Sequence, residues 1–217
     1  MNKFGILGYG YVGKATHKGL LKDAKAIVYD IMFDMPKEVI YEADTVFICI
    51  PTITETDIDI VINEIKDLKQ HNANVEIVIR STLPLGACEQ IQKEAGNIIY
   101  MPEFLRERYW DTDCFKRPLV VGSDNSIPQW LQDEEIKTCS TKEAELVKMY
   151  SNNFAVMRIA FANVFYDLAE NVGADYNKVL DMYLDIQQDQ TYMEVPGHDG
   201  TRAVSYTHLT LPTTPYV

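Results

Sequence analysis

No apolar run in the 217 residues approaches the roughly 20 that a bilayer-spanning helix needs, so the sequence offers no transmembrane segment. A strand opens at once with Lys3-Phe4-Gly5-Ile6-Leu7, which leaves no space for a signal peptide and implies a cytoplasmic protein. Positive charge is scarce: 20 Lys and Arg face 32 Asp and Glu, a formal net charge of −12. A field of that sign repels a polyphosphate backbone and argues against nucleic acid as a partner. It leaves room for a small anion such as a dinucleotide, because backbone N–H groups at a helix start bind phosphate without net positive charge. Cysteine is sparse too. Cys49, Cys88, Cys114 and Cys139 show no paired metal-ligand spacing, and four thiols in a chain of this length make no disulfide scaffold, so buried or incidental thiols and no metal are expected.

What is present is an alternation of short β-branched runs with helical patterns. Phe4 to Leu7, Ala26 to Tyr29, Thr45 to Ile50, Val75 to Ile79, Ile98 to Tyr100 and Leu119 to Val121 read as strands, and Ile58 to Leu68 and Gly86 to Glu94 as amphipathic helices. The alternation predicts an α/β fold with a Rossmann-like, doubly wound parallel sheet over residues 1–139. Val46-Phe47-Ile48-Cys49-Ile50 is apolar on both faces, as a strand covered by helices on both sides should be.

Near Ser140 the texture changes. Ser140-Thr141-Lys142-Glu143 fits a capping box, and a long helix is expected from Thr141 towards Asn171, ended by Gly173, with Asp175 capping a further helix through Leu184. Residues 140–202 thus read as the start of a helical central domain. From Ala203 the chain loses charge and amphipathic period. Val204-Ser205-Tyr206-Thr207-His208-Leu209 can be spelled GTC TCT TAT ACA CAT CT, which resembles the transposon end used in sequencing libraries. A tail over 203–217 that is not gene-encoded is therefore expected, the alternative being a natural disordered or edge-strand tail.

Gly8-Tyr9-Gly10-Tyr11-Val12-Gly13 is G-x-G-x-x-G directly after a strand and opening a helix. Gly8 permits the tight turn, Gly10 lets a pyrophosphate approach the backbone, and Gly13 allows close helix-to-strand contact. Asp30 closes the second strand at the distance expected of a ribose-binding acid. Its charge would repel a 2′-phosphate and no Arg follows it, so NAD is expected rather than NADP.

Three further segments fall at carboxyl ends of strands, where open α/β sheets bind ligands. They are Ile48-Cys49-Ile50-Pro51-Thr52, Ser81-Thr82-Leu83-Pro84-Leu85-Gly86 and Met101-Pro102-Glu103-Phe104-Leu105-Arg106-Glu107. With the glycine loop, and with Ala144-Glu145-Leu146-Val147-Lys148-Met149-Tyr150-Ser151-Asn152, they resemble the UDP-glucose/GDP-mannose dehydrogenase family over roughly residues 1–202. The resemblance implies that Tyr11, Val12, Pro51, Thr52, Ser81 and Thr82 line the NAD site, and that Glu107, one helical turn beyond Glu103, faces the cofactor or supports the site. It makes Glu103 the carboxylate that manages protons or a water, with Thr82 helping to hold that water. Lys148 becomes the cation that stabilises negative charge on the substrate oxygen and Asn152 a hydrogen-bond partner beside it, four residues on and so on one helix face. Phe104 and Leu105 would line the sugar pocket or pack the loop. Phe154, Phe161 and Phe165 suit a homodimer helix or simple core packing.

Family members oxidise a nucleotide-sugar C6 alcohol to a carboxylate with two NAD, and a cysteine in a G-F-G-G-x-C-x-P-K-D segment captures the aldehyde. Val195-Pro196-Gly197-His198-Asp199-Gly200-Thr201-Arg202 resembles the approach to that segment, but residues 203–217 follow instead. The expectation is a chain truncated before its nucleophile and inactive for the full reaction. The connection from Asp30 to Thr45 is also shorter than the helical insertion typical of the family. A β-hydroxyacid dehydrogenase, which also pairs a Rossmann domain with a K-x-x-x-N helix, is the rival enzyme, though Pro102 to Glu107 argues against it. A non-catalytic nucleotide-binding protein is the third reading.

Overall fold

The computed structural model describes residues 2–186 apart from 23, 35, 53 and 55. The segment Val195 to Arg202 and the tail over 203–217 lie outside the described residues. The described residues form two compact units, residues 2–157 and a second beginning at Arg158.

The first unit is built on a seven-stranded sheet in the order β2-β1-β3-β4-β5-β6-β7. Its strands are β1 (Phe4–Leu7), β2 (Ala26–Tyr29), β3 (Thr45–Ile48), β4 (Glu76–Ile79), β5 (Ile99–Tyr100), β6 (Leu119–Gly122) and β7 (Ile136–Cys139). The first five are mutually parallel, as the alternation predicts. β6 departs from that expectation by pairing antiparallel with β5 through Tyr100 and Gly122. Between them, residues 101–118 hold only a 3-10 turn (Glu107–Tyr109) and the single-turn α4 (Trp110–Asp113), with no crossover helix of the length a parallel return requires. The connection therefore begins and ends at the carboxyl edge of the sheet, and keeps Glu103 to Glu107 there.

α2 (Thr56–His71) and α3 (Ala87–Ala95) cover one face. Ile58, Val61, Ile62, Ile65 and Leu68 recur at helical spacing and pack with Ile48, Ile77, Ile79, Ile91 and Tyr100. The other face is covered by α1 (Tyr11–Ala15), which widens into a π-helical turn over Thr16–Leu20, and by Leu20 and Leu21, which pack against Phe47, Val78, Met101 and Val121. All four β3 residues are buried, as expected of a strand covered on both sides. Among its described residues the short link after Asp30 holds only a 3-10 stretch (Lys37–Glu42), and β2 stays the edge strand.

α5 (Thr141–Val172) starts with the expected capping box. The Ser140 N–H donates to Glu143 Oε2 at 2.8 Å, and the Glu143 N–H donates back to Ser140 Oγ at 3.2 Å. In the second unit Gly173, at φ +71°, ends α5, with the Ala174 N–H on the Ala169 carbonyl at 2.9 Å. Asp175 then caps α6 (Tyr176–Ile186) by accepting the Asn177 N–H at 2.9 Å. Phe161 and Phe165 stack at 4.5 Å yet both are exposed, so they do not serve a core within the described residues.

Candidate dinucleotide and substrate site

The glycine loop closes between β1 and α1. Gly8, at φ +91°, sits so close to β3 that a Cβ there would lie 2.7 Å from the Cys49 carbonyl oxygen, and a Cβ on Gly13 would lie 2.1 Å from the Gly8 oxygen. Gly10 is the opposite case: nothing lies within 4 Å of where its Cβ would be. That open space fronts the first amides of α1, whose N-cap receives no side-chain hydrogen bond. A pyrophosphate fits such a site, since unsatisfied N–H groups point towards it and no side chain blocks its approach.

Asp30 is held beside the loop. Its Oδ2 accepts the Tyr9 N–H at 2.6 Å and its Oδ1 the Met32 N–H at 2.9 Å. Each oxygen keeps a lone pair for one of two ribose hydroxyls. Glu107 comes to the same loop from β5: its carboxylate beside the Tyr11 hydroxyl holds that phenol above its ordinary pKa. No helix joins Glu103 to Glu107, contrary to the helical-turn spacing expected. Residues 101–106 are irregular, because the Arg106 N–H and guanidinium turn onto the buried Asp113 at 2.9–3.0 Å. Arg106 and Lys116 hold the Asp113 carboxyl well below the usual carboxylate range, so this anchor stays ionised.

The carboxyl ends of β3 and β4 are tied together. Ser81 Oγ donates to the Ile50 carbonyl at 2.7 Å, and Thr52 Oγ1 donates to the Thr82 carbonyl. Ser81 is buried and acts as a strut, while Thr82 and Pro51 are exposed at the edge and Val12 is half-buried behind the loop.

Lys148 reaches this edge from α5. Its Nζ donates to Glu103 Oε1 at 3.0 Å and to the Glu103 carbonyl, and lies 5.3 Å from the centre of the Phe104 ring. Both partners are largely buried, the Lys148 side chain 5% and the Glu103 side chain 12% exposed. Glu103 Oε2 accepts the Leu105 N–H at 2.6 Å, which curls the loop around its own carboxylate. Asn152 shares the Lys148 face of α5 and is exposed.

Sequence reasoning left Glu145 without a role, although it stands in the same A-E-x-x-K motif. It is 1% exposed, and its two oxygens accept the Gly86 N–H at 2.8 Å and the Cys88 N–H at 2.6 Å. One helix thereby caps another: the α5 carboxylate closes the N-terminus of α3 and clamps Ser81 to Gly86 in place.

A glycine loop at a strand-to-helix turn, an acid closing the second strand and a switch of strand order between β1 and β3 define a Rossmann-type dinucleotide-binding domain. Solved structures agree on the fold. The chain is similar to a reductive aminase from Aspergillus terreus in complex with NADPH and ethyl levulinate (TM-score 0.59, 11% identity, 85% of this chain and 72% of that one). It is also similar to an arogenate dehydrogenase from Synechocystis (TM-score 0.52, 12% identity, 86% and 75%).

The chain belongs to the UDP-glucose/GDP-mannose dehydrogenase family: the family's NAD binding domain matches residues 18–136 and its central domain residues 142–201. The first match begins beyond the glycine loop, whose assignment rests on the geometry above. Among curated relatives, the UDP-glucose 6-dehydrogenase of Rickettsia conorii is 31% identical over 181 residues, 73% of this chain and 42% of that protein. That of Campylobacter jejuni is 29% identical over 146 residues, 58% of this chain and 37% of the relative. The chain thus spans about two-fifths of the length of these relatives. NAD is the cofactor of the domain, and no described helix is long and apolar enough to cross a membrane.

Replacing Asp30 with Ala is expected to weaken NAD binding about tenfold while leaving NADP binding nearly unchanged, because it removes both a carboxylate placed to accept ribose hydroxyls and a charge that would repel a 2′-phosphate. Titration of the two cofactors against the variant measures the ratio.

Proposed function

We propose that the complete protein oxidises the C6 alcohol of a nucleotide sugar, UDP-glucose or a close relative, to the uronate with NAD in the cytoplasm, as a homodimer through the long α5 helix. The observation that carries this reading is the buried Lys148–Glu103 pair at the carboxyl edge of the NAD domain. There a cation can stabilise negative charge on the substrate oxygen while a neighbouring carboxylate takes the proton. Thr82 and Asn152 stand at the same edge as water and substrate partners, and Phe104 and Leu105 line the sugar. The relatives named UDP-glucose 6-dehydrogenase support the substrate class, and exposed Phe154, Phe161 and Phe165 support the pairing of copies.

The 217 residues by themselves bind NAD and form no uronate in this reading. A cysteine must attack the aldehyde, and the thiols present are poor nucleophiles: Cys49, Cys88 and Cys114 are buried and Cys139 half-buried, and burial pushes each thiol up, that of Cys49 to about 11. The purified chain with NAD should give no steady NADH from UDP-glucose, GDP-mannose or UDP-N-acetylmannosamine, and steady NADH from any of them overturns this. Genomic DNA read past the Arg202 codon should encode G-G-x-C-x-P-K-D. The same panel run on that longer product identifies the sugar.

A further inference from the structure

The mechanism above leaves one buried cation unused. Arg80 follows β4 directly, its N–H on the Ile48 carbonyl at 2.8 Å, so that strand register sets it beside Cys49 of the β3 end and Met101 of the β5 end. Alternation along β4 turns it, like Val78, to the face that α1 covers. It is 6% exposed, its Nε meets no hydrogen-bond partner among the described residues, and no carboxylate there lies within ion-pair distance. Its charged neighbours are Glu103 and Arg117, while the Cys49 thiol beside it is neutral. Burial pulls the guanidinium below its ordinary pKa, and the nearby Glu103 charge offsets this in part. A buried charge of this kind is expensive to keep and calls for an explanation.

Its position supplies one. The dinucleotide lies across the point where strand order reverses, between β1 and β3. With Asp30 on the β2 side set to take the adenosine half, the nicotinamide half would fall over the ends of β3 and β4, the edge at which Arg80 follows β4. The oxidised nicotinamide ring is a cation and the reduced ring is neutral. We propose that Arg80 is an electrostatic selector of the cofactor's redox state: an unpaired buried cation at the nicotinamide half of the crevice that disfavours the oxidised ring and so biases the bound cofactor towards accepting hydride. Glu103 screens part of this field, and removing its charge should sharpen the preference. The inference rests on the NAD site alone and is independent of which sugar is oxidised.

The test is the ratio of dissociation constants for NAD⁺ and NADH, measured by calorimetry and by NADH fluorescence on the purified chain. A unit charge acting on the oxidised ring at an effective dielectric of about 20, partly offset by Glu103, sets the expected change at about three- to tenfold. Arg80→Met should shift the ratio by that factor in favour of NAD⁺, chiefly by tightening NAD⁺, and Arg80→Lys should keep the wild-type ratio. Each tenfold in the ratio is about 30 mV in the potential of the bound couple. Where the Met variant does not fold by circular dichroism, Arg80→Gln supplies the neutral side chain. An unchanged ratio in a folded neutral variant, or equal weakening of both forms, overturns the proposal and leaves Arg80 a packing residue. A wild-type chain that binds neither form overturns the cofactor assignment along with it.

Discussion

Replacing Lys148 with Met should destabilise the chain by about 3–5 kcal/mol, the usual consequence of leaving one member of a buried ion pair without its partner. The Glu103 carboxylate would lose the charge 3.0 Å from Oε1 and the donor on its own carbonyl, keeping only the Leu105 N–H. Removing the orphaned charge as well, in Lys148→Met/Glu103→Gln, should recover most of the loss. Urea unfolding of wild type, both single variants and the double variant closes the cycle, and near-additive losses would show that the two side chains are not coupled. In a longer product that carries out the full reaction, the same substitution should lower kcat by about 10²–10³, the range for removing one preorganised donor, whether or not stability is restored. That split separates the electrostatic role from the structural one.

Glu145→Ala should cost about 3 kcal/mol, since it strips a charged acceptor from two amides at the buried start of α3. Glu145→Gln should fall between, because an amide oxygen can still accept from one of them. The change should be local as well as global. Amide hydrogen exchange at Gly86 and Cys88 should accelerate in the Ala variant by more than at Ile62 or Ile65 in α2, and equal acceleration everywhere would mean that Glu145 does not cap α3. The Ser81 to Gly86 turn loses its anchor at the same time, so NAD affinity should weaken although no cofactor contact was altered.

The parallel core was readable because its rules are local. Alternating runs, a glycine loop, a capping box at Ser140 and the Gly173–Asp175 break each depend on residues a few positions apart, and each appears where the pattern puts it. β7 was missed because Ile136-Lys137-Thr138-Cys139, with Lys137 and Thr138 exposed, carries the pattern of a sheet edge and reads as a loop. The antiparallel turn of β6 was missed for a related reason: strand direction depends on where the preceding connection ends, and no short window contains that information.

Of the site, the residue types of the family motifs were visible in the chain, but their partners were not. Glu103 and Lys148 are 45 positions apart, and Gly86 and Glu145 are 59. Such pairs come together only when α5 packs across the carboxyl edge of the sheet. The sequence by itself determined the fold class, the glycine turn and the acid that closes β2, because steric and hydrogen-bonding rules along a few residues suffice for them. Tertiary structure alone decided that Lys148 pairs with Glu103, that Glu145 caps a helix other than its own and that Arg80 is buried with its Nε unpartnered among the described residues, because burial and long-range proximity are properties of the packed chain.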